Sequence, residues 1–127
     1  MKTIIAGSRT ITDYAYVEKT IEDCISVYGS NITEVVSGGA PGVDTLGAQW
    51  AKKNKIKPKE FLAKWKKYGL AAGGIRNGKM AEYGDMLIAI WDGTSTGTKD
   101  MIKQAKNKSL IVHVIRTDKT SISDFFR

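Results

Sequence analysis

Apolar residues follow two alternating rhythms along this chain, and the alternation predicts its elements. Short runs of β-branched and other apolar residues stand at positions 3–6, 34–37, 85–91 and 110–115, and a further strand is expected over 59–63. Between them, apolar residues return every three or four positions, the spacing of one helix face. Tyr14, Val17, Ile21, Cys24 or Ile25, and Tyr28 form the first such face, with Asp13 as its cap and Gly29 as its stop. Val43, Leu46, Trp50 and Ala51 form the second, over 42–54. A loop over 65–74 enters a third helix over 71–83. A fourth, over 96–107, buries Thr98, Met101, Ile102 and Ala105 and exposes Lys99, Lys103 and Lys106. The run over 85–91 is nearly all apolar, as in a central strand covered on both faces.

Strands alternating with helices predict an α/β fold: a doubly wound sheet of about five mainly parallel strands with helices on both faces. Residues 1–127 are expected to make one domain, with 116–127 as a tail of weak pattern. Ligands of such sheets bind beyond the carboxyl ends of the strands, where the strand order reverses. The glycine-rich turns of this chain fall at that end.

Composition narrows the class. Of 127 residues, 42% are hydrophobic and 26% charged, as in soluble globular proteins. No apolar run is long enough to cross a bilayer, and the N-terminal one is too short for a secretory signal. Cys24 is the single cysteine, so no internal disulfide can form and a cytoplasmic location is expected. One histidine and one cysteine exclude a structural zinc site; no metal or cofactor is expected. The formal charge of +7 is local. Lys52, Lys53, Lys55, Lys57, Lys59, Lys64, Lys66 and Lys67 share their stretch with one acid, Glu60. Such a band either draws anions, including nucleic acid, or is a solvated surface.

Four segments carry candidate chemistry. Gly7-Ser8-Arg9 leaves the first strand, with a glycine for close approach and an arginine fork for phosphate or carboxylate. Ser37, Gly38, Gly39, Ala40 and Gly42 make a turn ahead of a helix, where free N–H groups and the helix dipole suit an anion. Asp44 falls in that helix's first turn, either as a dipole-stabilised acid or as an acceptor for ribose hydroxyls or a base edge. Arg76, beside Asn77, shares a face with apolar neighbours, so it is aimed into a polar site, or else snorkels to solvent or pairs with Glu82 or Asp85. Gly93, Thr94, Ser95, Thr96, Gly97 and Thr98 form a hydroxyl-rich turn, read either as a phosphate cradle or as a flexible turn with a threonine cap. It lacks the Gly-Lys-Ser/Thr ending of a Walker loop. Trp65 or Tyr68 would stack on a nucleobase, or Trp65 instead plugs the core beneath its loop. His113 reads as structural.

Taken in order, Gly7-Ser8-Arg9, Ser37-Gly38-Gly39-Ala40 with Gly42-Val43-Asp44, Trp65 with Tyr68-Gly69, Ala72-Gly73 with Ile75-Arg76-Asn77 and Met80, and Gly93 to Thr98 resemble the SLOG superfamily, in its small YspA-like branch. The resemblance covers about residues 3–115. It implies a Rossmann-like fold that binds nucleotides or nucleotide-derived ligands. Relatives in that superfamily include LOG-type phosphoribohydrolases and DNA processing protein A. By position, Ser8, Arg9, Gly38 to Gly42, Arg76, Asn77 and Thr94 to Thr98 would line the ligand pocket, with Asp44 at its edge. Pro41 stands where many members have arginine. The LOG motif ends in a catalytic glutamate; here Lys99-Asp100-Met101 follow instead.

Three functions follow as expectations. The first is a binding module that senses or sequesters a phosphorylated nucleotide-derived small molecule, of ADP-ribose or cyclic ADP-ribose type, as a phage counter-defence protein would. The second is a nucleotide N-glycosidase or phosphoribohydrolase, with Asp44 or Asp92 as catalytic candidates. The third is single-stranded nucleic acid binding through the band from Lys52 to Lys67 with Trp65 and Tyr68. A homo-oligomer is also implied by the resemblance.

Overall fold

The computed structural model describes residues 1–29 and 31–118. Five strands, β1 (Lys2–Gly7), β2 (Glu34–Ser37), β3 (Pro58–Glu60), β4 (Met86–Trp91) and β5 (Ile111–Arg116), form one sheet in the order β3-β2-β1-β4-β5. All neighbouring strands are parallel. The helices are α1 (Tyr14–Tyr28), α2 (Val43–Lys53), α3 (Trp65–Tyr68), α4 (Ala72–Tyr83) and α5 (Thr96–Asn107). The chain builds outward from β1 to β3, then crosses back to lay β4 on the other side of β1. The switch point therefore lies between β1 and β4, and the sheet is Rossmann-like.

Side chains alternate across each strand, so one strand serves two cores. Ile5, Met86, Ile88 and Ile90 face Val17, Ile21, Val43 and Trp50 of α1 and α2. Ile4, Ala6, Leu87 and Ala89 face Met80, Ala81, Met101 and Ala105 of α4 and α5. This double burial is why β4 reads as an unbroken apolar run. Local signals set α1: the Asp13 carboxylate accepts the Tyr16 N–H, and Gly29 ends the helix at φ 64°.

Two segments differ from the sequence expectation. The third strand is Pro58–Glu60 rather than 59–63. It is an edge strand pairing with Val35, Val36 and Ser37, and its Lys59 and Glu60 are exposed, so burial imposes no alternation to read. Residues 65–71 are not plain loop. The four-residue α3 and a 3₁₀ turn over Gly69–Ala71 run directly into α4. Gly73 and Gly74 consequently sit inside the start of α4, where a Cβ on Gly73 would lie 3.5 Å from the Trp65 ring. The tail beyond Asp118 lies outside the described residues. Among the described residues, no helix is long and apolar enough to cross a membrane.

Candidate functional site

A cleft of about 620 Å³ opens at the carboxyl end of β1, between the starts of α2 and α5 and one face of α4. Gly7 lets these elements converge. A Cβ there would stand 2.1 Å from the Ile90 carbonyl oxygen and 2.7 Å from the Val43 side chain. The buried Ser8 joins the same elements. Its N–H donates to the Ile90 carbonyl, its hydroxyl accepts the Asp92 N–H (3.0 Å), and its carbonyl accepts the Val43 N–H. Arg9, exposed, lines the cleft beyond this joint.

The turn after β2 is bonded largely to itself. The Gly39 N–H donates to the Ser37 hydroxyl (3.2 Å), which in turn donates to the Asp44 carbonyl (3.1 Å). The Ala40 N–H donates to Asp44 Oδ2 (3.3 Å), and the Gly38 carbonyl accepts Arg76 Nη1 (2.7 Å). Gly42 holds φ 81° against the Ser8–Arg9 backbone, where a Cβ would sit 2.4 Å from the Ser8 carbonyl oxygen. Of this turn and the following helix start, Ala40 and Asp44 reach the cleft. Ser37, Gly38, Gly39 and Gly42 frame it from behind.

That frame holds a buried acid. Asp44 is 5% exposed. Burial pushes its carboxyl up to about 6, against the opposing pull of the Ala40 N–H, the Arg76 guanidinium, the Gly7 backbone and Arg9. Arg76 reaches this acid from α4, with Nε on Asn77 Oδ1 (3.1 Å). It is bonded to neither Glu82 nor Asp85: Asp85 accepts the Lys2 N–H, and Glu82 lies beside Lys108. Asn77, nearly buried, donates to the Gly97 carbonyl (3.3 Å) and to Asp100 Oδ2 (2.9 Å), tying α4 to α5. Gln104 donates to the same Asp100 oxygen (2.9 Å).

At the entry to α5, Asp92 Oδ1 accepts the N–H groups of Ser95 (2.8 Å) and Thr94 (2.9 Å). These bonds hold its carboxyl down to about 2, and Asp92 shapes the turn without lining the cleft. Ser95, rather than a threonine, caps the helix, accepting the Thr98 N–H. The N–H groups of Thr96 and Gly97, the first two of α5, make no hydrogen bond among the described residues. Thr94, Ser95, Thr96, Gly97 and Thr98 all line the cleft, whereas Gly93 packs behind against Arg116 and Asp118.

Trp65 stands at the cleft, 51% exposed, with the fully exposed Leu70 beside it. Tyr68 does not line the cleft; its ring meets the Lys67 ammonium at 5.1 Å. The lysine band is partly committed. Lys53 pairs with Glu18 (2.6 Å), and the Lys59 ammonium sits 4.9 Å from the Tyr83 ring centre. Sequence reasoning missed Gly73, Met80, Asp100 and Met101 as cleft residues. They lie three or four positions from Asn77, Thr96 or Gly97, so the helix repeat was the signal that finds them. Gly74, three positions from Asn77, carries the same signal, whereas Ala6 and Leu70 carry none. Among the described residues, no group of three or more histidines, cysteines or acids could hold a metal ion.

The chain is similar to two known proteins and to one family model. Its overall shape matches the X-ray structure of DNA processing protein A from Streptococcus pneumoniae with a TM-score of 0.70 at 20% identity. The match takes in 98% of this chain and 52% of that one, so the chain spans about half the length of that protein. The gene 61 protein of Mycobacterium phage D29 is 31% identical over 119 residues, covering 87% of this chain and 93% of the relative. The sequence model of the YspA, cpYpsA-related SLOG family matches residues 1–68, which include Gly7-Ser8-Arg9, the turn after β2 and Asp44. With that match over more than half its length, the chain belongs to the YspA, cpYpsA-related SLOG family.

Proposed function

We propose that the cleft binds a phosphorylated, nucleotide-derived small molecule and holds it without turnover. The observation that carries this reading is the pair of unused N–H groups at Thr96 and Gly97, opening with four hydroxyl side chains onto a cleft of about 620 Å³. A helix start with free donors and hydroxyls attracts a phosphate. Arg9 and Arg76 add positive charge to the same cleft, and Trp65 offers a flat face at its mouth for a base. The volume lies within the range of small-molecule sites. Family membership supports a nucleotide-derived ligand, and the phage-encoded relative supports sequestration of a host signal of ADP-ribose or cyclic ADP-ribose type. In this reading residues 1–127 act as one binding unit.

Retention rather than hydrolysis is supported by the acids. Met101, 1% exposed, lines the cleft where the LOG motif carries its glutamate. Asp100 Oδ2 already accepts two side-chain donors, and Asp92 is held far below the range useful for proton transfer at neutral pH. A hydrolytic mechanism would instead run through Asp44. Mass spectrometry of molecules released by heating the purified protein tests the proposal. A phosphorylated nucleotide-type compound released from the wild type and absent from Arg9→Ala is the expected result. No released compound, together with no calorimetric binding of ADP-ribose or nucleoside monophosphates, would refute it. Chromatographic detection of cleaved product would refute retention alone.

A second reading is favoured by one observation: Trp65 is half exposed between Lys64 and Lys66, Lys67 at the cleft mouth. Single-stranded nucleic acid would stack there. Oligonucleotide binding that falls steeply with salt is its signature.

A further inference from the structure

We propose that Asp44 is the specificity-determining residue of the cleft and accepts a hydroxyl of the ligand's ribose, so that the ligand must carry that 2′ or 3′ hydroxyl free. The inference rests on the nucleotide reading above and sharpens it to ribonucleotides whose sugar bears no phosphate at its 2′ or 3′ position.

The cleft presents both free donors and a buried acceptor. The Thr96 and Gly97 N–H groups are donors with no acceptor among the described residues. Asp44, an acid nine-tenths or more buried, also lines the cleft, and its Oδ2 takes the Ala40 N–H. A carboxylate offers about four acceptor positions, so room remains for an incoming donor. Three kinds of ligand group can be weighed against it. A phosphate facing Asp44 would set like charges together with little water to screen them. A ligand cation would add to two guanidiniums already acting on this acid, those of Arg76 and Arg9. A neutral hydroxyl donates to the carboxylate and leaves the local charge balance untouched.

Size agrees with this choice. Beside its two arginines, Asp44 is lined by small residues: the Ala40 N–H and the Gly7 backbone both bond to it. A pentose can approach the acid there, while the bulkier Trp65 and Leu70 stand at the mouth. The acid is also held rigidly. A Cβ on Gly38 would meet Asp44 Oδ2 at 2.8 Å and Arg76 Nη1 at 2.9 Å, so acid, arginine and turn are packed as one unit. An acceptor fixed in this way punishes a ligand that lacks the matching donor, because its lone pairs are left buried and unmet.

The test is calorimetric titration with ADP-ribose and the four ribonucleoside 5′-monophosphates, each set against 2′-deoxy and 3′-deoxy analogues and against the 2′,5′-bisphosphates. Wild-type protein, Asp44→Asn and Asp44→Ala are compared, with thermal melting to show that each variant is folded. The proposal expects ribo forms to bind at least about tenfold more tightly than one of the deoxy series. It expects the 2′-phosphorylated forms to bind weakest, and the ribo preference to vanish in Asp44→Ala. Asp44→Asn keeps an acceptor oxygen and should retain part of the preference. Equal affinity for ribo and deoxy forms in the wild type, or an undiminished preference in Asp44→Ala, overturns this inference and leaves the nucleotide reading standing. Absence of binding by every nucleotide at low salt overturns both.

Discussion

Replacing Asp44 with asparagine is predicted to stabilise the protein at neutral pH while damaging its site. The reason lies in the cost of ionising a carboxyl that is 5% exposed. Its pKa rises from the ordinary aspartate value of 3.8 to about 6 in the folded chain. The rise exceeds two pKa units, and each unit is worth about 1.4 kcal/mol, so the ionised acid costs about 3 kcal/mol of stability. Because the folded pKa is raised, the folded state holds the proton more tightly. Stability contributed by the neutral acid is complete below pH 3.8 and is lost as pH climbs through about 6. Asparagine mimics the neutral form at every pH. Urea unfolding of wild type and Asp44→Asn at pH 4 and pH 8 is the assay. The variant should gain about 3 kcal/mol over wild type at pH 8, and under about 1 kcal/mol at pH 4. Other carboxyls are common to both proteins and cancel in the comparison. The fit of the new amide adds a constant offset but no pH slope. A gap that does not change between the two pH values would refute the argument, since it would mean that Asp44 does not titrate out of the range of an ordinary aspartate.

Arg76→Ala removes a charged hydrogen bond to the Gly38 carbonyl and the main cation beside Asp44. It should cost about 1.5–3 kcal/mol at pH 8, less at pH 5, and abolish nucleotide binding; retained affinity by calorimetry would contradict the assigned role. Gly42→Ala should be among the most destabilising single changes. It imposes a Cβ at φ 81° and 2.4 Å from a backbone oxygen, and thermal melting should fall by several degrees. Trp65→Ala should barely move the melting temperature, because the side chain is half exposed. It should weaken nucleotide binding by about five- to a hundredfold if a base stacks there.

Local chemistry made much of the architecture legible in the residue order. The strand–helix alternation, the Asp13 cap, the Gly29 stop and the two-sided burial of β4 each depend on neighbours in sequence or on period, and each reads directly. The family resemblance did too, because its motifs are short and contiguous. The edge strand β3 and the helical turn α3 were less legible. Most of their residues are exposed and none is buried, so burial imposes no pattern on them.

The site divides along the same line. That Arg9, Asp44, Arg76 and the hydroxyl-rich turn line one cleft was readable, since they follow strand ends or lie in the first turns of helices at the switch-point side of a parallel sheet. Which donors stay free was not. The turn after β2 looks in sequence like the stronger anion cradle, yet its Gly39 and Ala40 amides are taken by Ser37 and Asp44, whereas Thr96 and Gly97 keep theirs. The same limit applies to Asp44, whose raised pKa comes from burial beneath elements up to thirty-odd residues away. Periodicity and turn chemistry are carried by nearest neighbours, so one strand of text encodes them. Desolvation and the saturation of hydrogen bonds are sums over everything packed around an atom, and only the folded chain determines what that is.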